Sequence, residues 1–163
     1  MKRTLTTLML LSAACTDLSP QRVEVAADSA AGEIAFELAG PGGAALVVPV
    51  RINGEGPYQF VLDTGATVTC LDDQVVSALD LPEVTGVIGT AAGIGGQGGV
   101  SLVSLDSLSI GGVRAFELEA CVIDLEHLSG VGLELHGLIG LNVLSEFLVT
   151  LDFERNILTL ENP

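Results

Sequence analysis

Short apolar runs cut by glycine-rich turns constrain this chain more than any other feature. Across residues 32–39, Ile34, Phe36 and Leu38 alternate with Glu33, Ala35 and Glu37, the period of two that leaves one strand face wet. Gly40-Pro41-Gly42-Gly43 stops that run. Residues 44–52 form a second strand, and Asn53-Gly54-Glu55-Gly56-Pro57 turns the chain into a third at 58–62. Residues 67–71 are β-branched and apolar, and Asp72-Asp73 can cap a short helix through Leu79. Residues 84–112 are glycine-rich and β-prone, with a hairpin tip expected at 93–99. A strand over 113–123 follows the Gly111-Gly112 turn. Residues 135–140 are a buried apolar run, and Asn142 begins a short helix to Phe147. Strands at 148–152 and 157–160 close a hairpin around Glu154-Arg155-Asn156. Strands this short and this regularly spaced predict an all-β barrel or sandwich with one or two short helices.

Composition narrows the function. The 163 residues suit one domain, and with 48% hydrophobic residues and no Trp the core must come from Val, Leu, Ile and Ala. Six basic against 21 acidic residues give a net charge of −15, the opposite of a nucleic-acid-binding signature. An acidic membrane surface would repel such a body. No run after residue 15 holds eighteen consecutive apolar residues, so no later membrane span is expected.

The N-terminus reads as a targeting segment. Met1-Lys2-Arg3 is a short basic stretch, residues 5–11 are apolar, and Ser12-Ala13-Ala14 leads to Cys15. This resembles a bacterial lipoprotein signal, which implies a signal peptide over 1–14 and a lipidated Cys15 as the first mature residue. An ordinary secretory signal is the alternative. Residues 16–31 are polar and small and read as a tether, leaving 32–163 as the domain. Cleavage would remove Lys2 and Arg3 and no acid, taking the mature charge to −17. The body would then reach a membrane only through its lipid, on the envelope side facing the periplasm or exterior. Cys70 and Cys121 remain, and buried free thiols are favoured over a bridge because spacing alone cannot bring two Cα atoms into range. His127 and His136 are isolated and read as surface or loop-end residues, so no metal site is expected.

The chemistry lies in FVLDTGAT, residues 60–67. A carboxylate delivered by three apolar residues sits where a buried strand ends, and there it needs partners. Thr64 places a hydroxyl beside it, and Gly65 admits a close backbone or substrate because it has no Cβ. An ordinary Asp-x-Gly turn is the bland alternative. An aspartyl-phosphate nucleophile is a rival, but it wants an α/β fold and a phosphate cradle. Asp72, Asp73 and Asp152 sit in cap or turn settings that read as solvated.

GPYQFVLDTGATVTCL, then a short helix, a glycine-rich hairpin and GLIGLNVLSEFLVTLDFERNILTL, together resemble the retropepsin-like aspartic proteases, including bacterial single-lobe members, over about residues 44–161. The resemblance implies a closed single-lobe barrel. It implies Asp63 as the catalytic carboxylate, with Thr64, Gly65 and Ala66 supporting the loop. Leu138, Ile139 and Gly140 would pack beneath it, and the stretch from Ile88 to Val100 would take the place of the flap. Thr64 would bond across a dimer interface and Gly65 would meet substrate backbone. One lobe carries one such Asp, whereas this chemistry uses two carboxylates sharing a proton around a water. The expectation is therefore a homodimeric aspartic endopeptidase acting on a peptide or protein held as an added strand, with no metal or organic cofactor. A non-catalytic peptide-binding module and a structural envelope lipoprotein of the same fold are the alternatives.

Overall fold

The computed structural model describes residues 22–25, 32–84, 89–93, 96–125 and 134–161. In chain order the first strands are β1 (Arg22–Val25), β2 (Glu33–Ala35), β3 (Glu37–Ala39), β4 (Ala45–Ile52), β5 (Glu55–Leu62) and β6 (Cys70–Asp72). After helix α1 (Asp73–Ala78) come β7 (Gly89–Gly93), β8 (Gly96–Val100), β9 (Leu102–Ile110), β10 (Val113–Ile123) and β11 (Gly137–Ile139). Helix α2 (Leu141–Leu144) leads into β12 (Leu148–Asp152) and β13 (Ile157–Glu161).

Six strands close a mixed barrel. β4 pairs antiparallel with β5, β5 runs parallel to β11, and β11 is antiparallel to β6. β6 is parallel to β10, β10 is antiparallel to β9, and β9 returns to β4. The two strands that turn the corners are shared between neighbours. β4 borders β3 at its start and β9 at its end, and β10 borders β1 at its start and β6 at its end. Closure leaves no free edge in the ring itself. A second sheet, β12-β13-β2, packs its buried Ile34, Leu158 and Leu160 into the same core as Phe60, Leu105 and Ile139.

Turn chemistry explains the tightest corner. Asn53 and Gly54 both take positive φ, 51° and 86°, so two residues suffice to join β4 to β5. Glu55, Gly56 and Pro57, read from sequence as part of that turn, therefore belong to β5. Asn53 also serves a second hairpin: its N–H donates to Ser107 O at 2.9 Å and its Oδ1 accepts from Ser107 N at 3.0 Å. At that point the burial alternation slips in both long strands. Leu105 and Leu108 are both buried on β9, as are Ala115 and Leu118 facing them on β10. The shared slip bends the hairpin so that both halves turn an apolar face inward.

Four readings of the sequence change in three dimensions. Residues 32–39 are two strands: the chain leaves β2, which pairs with β13, and joins β4 as β3. Phe36 stands at the change, its N–H donating to Asn156 O at 3.0 Å, and the phase flips there. Ala39 is buried, and Leu38 is 47% exposed. Within the segment read as a tether, Arg22–Val25 pairs along β10 as β1. Cys70 and Cys121 are bonded as a disulfide, not free thiols. They lie directly opposite on β6 and β10, with Cα atoms 4.3 Å apart, a proximity created by the parallel pairing of strands distant in sequence. Asp72 is 5% exposed and so not solvated: it caps α1 by accepting from Gln74 N at 3.0 Å, and its other oxygen accepts from Leu125 N at 2.9 Å. Asp73 is exposed and Asp152 half-buried. Asp152 accepts from Glu154 N and Arg155 N in its turn. Cys15, the signal segment and His127 lie outside the described residues.

Candidate active site

β5 runs from an exposed start to a half-buried end past the buried Phe60, and its last ladder bond delivers Asp63. Phe60, Val61 and Leu62 stand in parallel register against Gly137, Leu138 and Ile139 of β11. One residue further, Asp63 N donates to Ile139 O at 3.0 Å, and there the pairing stops. The loop then folds onto its own carboxylate. Gly65 N donates to Asp63 Oδ1 at 2.8 Å, and Ala66 N reaches Asp63 O at 3.3 Å. One carboxylate oxygen is thus fixed by the backbone, while the other carries no hydrogen bond among the described residues. Asp63 is half-buried, and Thr64 and Gly65 are exposed. The arrangement offers a carboxyl group of set orientation at an accessible surface, the requirement for passing a proton to or from a bound molecule.

The segment from Gly137 to Asn142 holds the loop from beneath. β11 lies between β5 and β6, and Gly137 is opposite both Phe60 and Leu71. A Cβ there would run into the Phe60 ring and the carbonyl oxygen of Cys70, so only glycine lets the strand lie between them. At Gly140 an added Cβ would stand 2.5 Å from Val68 C and 2.8 Å from Thr69 N. Past that contact, Leu141 N donates to Ala66 O at 2.8 Å and Asn142 N to Thr67 O at 3.0 Å. The structure therefore brings Asp63, Thr64, Gly65 and Ala66 together with Leu138, Ile139 and Gly140.

Residues that sequence reasoning passed over complete the loop. Thr69 is fully buried and bonded to the side chain of Asn142. Asn142 was read only as a helix start, whereas α2 begins at Leu141 behind Gly140 and the Asn142 amide turns to the loop. A buried threonine in VTCL and an asparagine after GLIGL were the available signals, and nothing local links them. His136, a loop-end histidine as expected, supports β5 just before Asp63. Its N–H donates to Gln59 O at 2.8 Å, and its Nδ1 accepts from Gln59 N at 3.1 Å. The glycine-rich hairpin forms as β7 and β8, in register from Gly89 opposite Val100 to Gly93 opposite Gly96. Ile88 lies outside the described residues.

The family profile for aspartyl proteases matches residues 48–143, a span that contains Asp63–Ala66 and Leu138–Asn142. Among solved structures, a retropepsin-like aspartic protease from Rickettsia conorii superposes with a TM-score of 0.55 at 20% sequence identity, covering 88% of this chain and 96% of that one. No curated protein matches in sequence. A profile match over more than half the chain, on a closed single-lobe barrel with Asp63 directly after strand β5, places the chain in the aspartyl protease family.

Proposed function

We propose that this chain is an aspartic endopeptidase that acts as a homodimer, cleaving peptide bonds with a water held between two Asp63 carboxylates. The observation that carries the reading is the fixed carboxylate itself: strand β5 ends on Asp63, and Gly65 N–H holds one of its oxygens at 2.8 Å. Two such groups facing across a two-fold axis cannot both ionise cheaply, so they share one proton. The ionised member takes a proton from the water, and the protonated member gives one to the scissile carbonyl oxygen. Thr64, exposed beside Asp63, bonds to its mate across the interface, Gly65 meets the substrate main chain, and Ala66 supports the loop. The substrate lies extended under the β7–β8 hairpin as an added strand.

Residues 32–163 form the protease domain in this reading, residues 1–14 are removed as a signal, and Cys15 carries lipid at the cell envelope. Because β1 begins at Arg22, seven residue steps separate the lipid from the barrel, at most about 25 Å of extended chain. The enzyme would work close to the membrane surface.

The test is incubation of the protein with a mixed library of unstructured peptides over about pH 3–8, the range in which carboxyl pairs titrate. Wild type should cleave and Asp63→Asn should not, since an amide cannot hold or pass the shared proton. Excess Asp63→Asn mixed with wild type should inhibit by forming half-dyads. Turnover that survives in Asp63→Asn would remove Asp63 from the chemistry. Peptide binding without cleavage in both proteins would favour a binding module.

A further inference from the structure

The loop that carries Asp63 ends at a residue whose polar atoms are almost all spoken for by one side chain. Thr69 is 0% exposed. Its N–H and its Oγ1–H both donate to Asn142 Oδ1, each at 2.8 Å. The same hydroxyl oxygen accepts from Gly140 N at 3.1 Å, which leaves the hydroxyl no freedom to rotate. On its other side the Asn142 amide turns its Nδ2 to Glu119 O on β10 at 3.4 Å. Thr69 O is taken by Cys121 N, also on β10. Asn142 therefore bridges the end of the Asp63 loop to Glu119 of β10, the strand beside β6, next to the direct bond from Cys121 N to Thr69 O.

The chemistry of this position is selective. It needs an acceptor toward Thr69 and a donor toward a carbonyl, held on a short side chain, and an amide supplies both. An ionised carboxylate would satisfy Thr69 but set an oxygen against Glu119 O. A neutral carboxylic acid would make all three contacts. We propose that Asn142 is a positioning residue for Asp63: by fixing Thr69 it sets the path of residues 64–69, and through that loop the orientation of the Asp63 carboxylate. The role in turnover rests on the peptidase reading above, but the hold on the loop does not. Main-chain bonds from Leu141 and Asn142 reach only Ala66 and Thr67, and at Thr69 the carbonyl is held by Cys121 N and the hydroxyl oxygen by Gly140 N, so the Thr69 N–H and the direction of its hydroxyl proton are what the Asn142 side chain fixes.

The experiment uses the full chain in four forms: wild type, Asn142→Ala, Asn142→Asp and Thr69→Ser, with Asp63→Asn as the activity control. Two readouts are taken, amide hydrogen exchange and kcat and KM on the mixed peptide library. Asn142→Ala should speed exchange of the Gly65 and Thr69 amides by about tenfold or more relative to β4 and β9. It should also lower kcat about 100-fold while KM moves less than about threefold, the mark of misplaced groups with binding retained. Thr69→Ser keeps the hydroxyl and should stay within about threefold of wild type. Asn142→Asp should approach wild type near pH 3, where a carboxyl with the ordinary Asp pKa of about 3.9 is mostly neutral, and its ratio to wild type should fall as pH rises through about 4–5 and the carboxyl ionises. That ratio decides the matter if Asn142→Ala does not fold. Unchanged exchange at Gly65 in Asn142→Ala, or a ratio for Asn142→Asp that is flat with pH, would overturn the positioning role. A wild type lacking Asp63-dependent turnover would overturn the peptidase reading alone, and the exchange rates would still decide whether Asn142 holds the loop.

Discussion

Replacing Gly140 with Ala measures how closely the two halves of the candidate site are pressed together. The backbone at Gly140 has φ −94° and ψ −179°, a conformation open to any residue, so the cost comes from space alone. The added Cβ would lie 2.5 Å from Val68 C, 2.7 Å from Val68 O and 2.8 Å from Thr69 N. Ordinary van der Waals contact begins at 3.4 Å, so the Val68–Thr69 peptide must retreat by about 0.9 Å. That peptide carries the bond from Thr69 N to Asn142 Oδ1 at 2.8 Å, and its neighbours carry Gly140 N to Thr69 Oγ1 at 3.1 Å and Asn142 N to Thr67 O at 3.0 Å. A retreat of this size breaks two of the three. Two buried hydrogen bonds at about 1 kcal/mol each and an overpacking term of about 2 kcal/mol give a loss of about 4 kcal/mol. For a domain of this size that lowers the melting temperature by about 8–16 °C at fixed protein concentration. Gly42→Ala is the control. It meets nothing within 4 Å but sits at φ +71°, so only the left-handed conformation is penalised, by about 1–2 kcal/mol. Thermal unfolding followed by circular dichroism reads both variants. A Gly140→Ala melt within about 2 °C of wild type, or no lower than that of Gly42→Ala, would refute the close approach.

The Cys70–Cys121 bridge spans a sequence separation of 51, and closing a loop of that length should contribute about 4 kcal/mol by restricting the unfolded chain. Urea unfolding with and without a dithiol reductant measures it, and two thiols labelled in the unreduced, unfolded protein would refute the bridge. Activity per chain should fall on dilution and partly recover in salt, which screens the repulsion between two acidic bodies of net charge −15 each over about 10 Å at 0.1 M. Activity strictly proportional to concentration would refute the dimer. Wild type should partition into detergent and remain with washed membranes, and Cys15→Ala should lose both properties. Full release of wild type as soluble protein would assign an ordinary secretory signal instead.

What the sequence determined alone is what adjacent residues can settle between themselves. That the chain turns at Asn53-Gly54, that Asp72 can cap α1, and that the hairpins β9–β10 and β12–β13 reverse at Gly111-Gly112 and Glu154-Arg155-Asn156 follow from turn chemistry. So does the placement of Asp63-Thr64-Gly65 at the end of an apolar strand, because Phe60 is driven into the core and Gly65 lets the chain fold back onto the carboxylate. Only the tertiary structure decided which distant segments lie side by side. Cys70 meets Cys121 because β6 and β10 run parallel in a closed ring. Leu38 faces outward because its strand changes sheets at Phe36. Asp72 is buried because Leu125 folds over it to use its second oxygen. Asn142 finds Thr69 because β11 passes between β5 and β6 and delivers α2 beneath the loop. None of these pairings leaves a local signal, since closing the barrel and burying one shared core are properties of the whole chain, and Thr69's partners and Asp72's distant partner Leu125 are in place only once that closure has occurred.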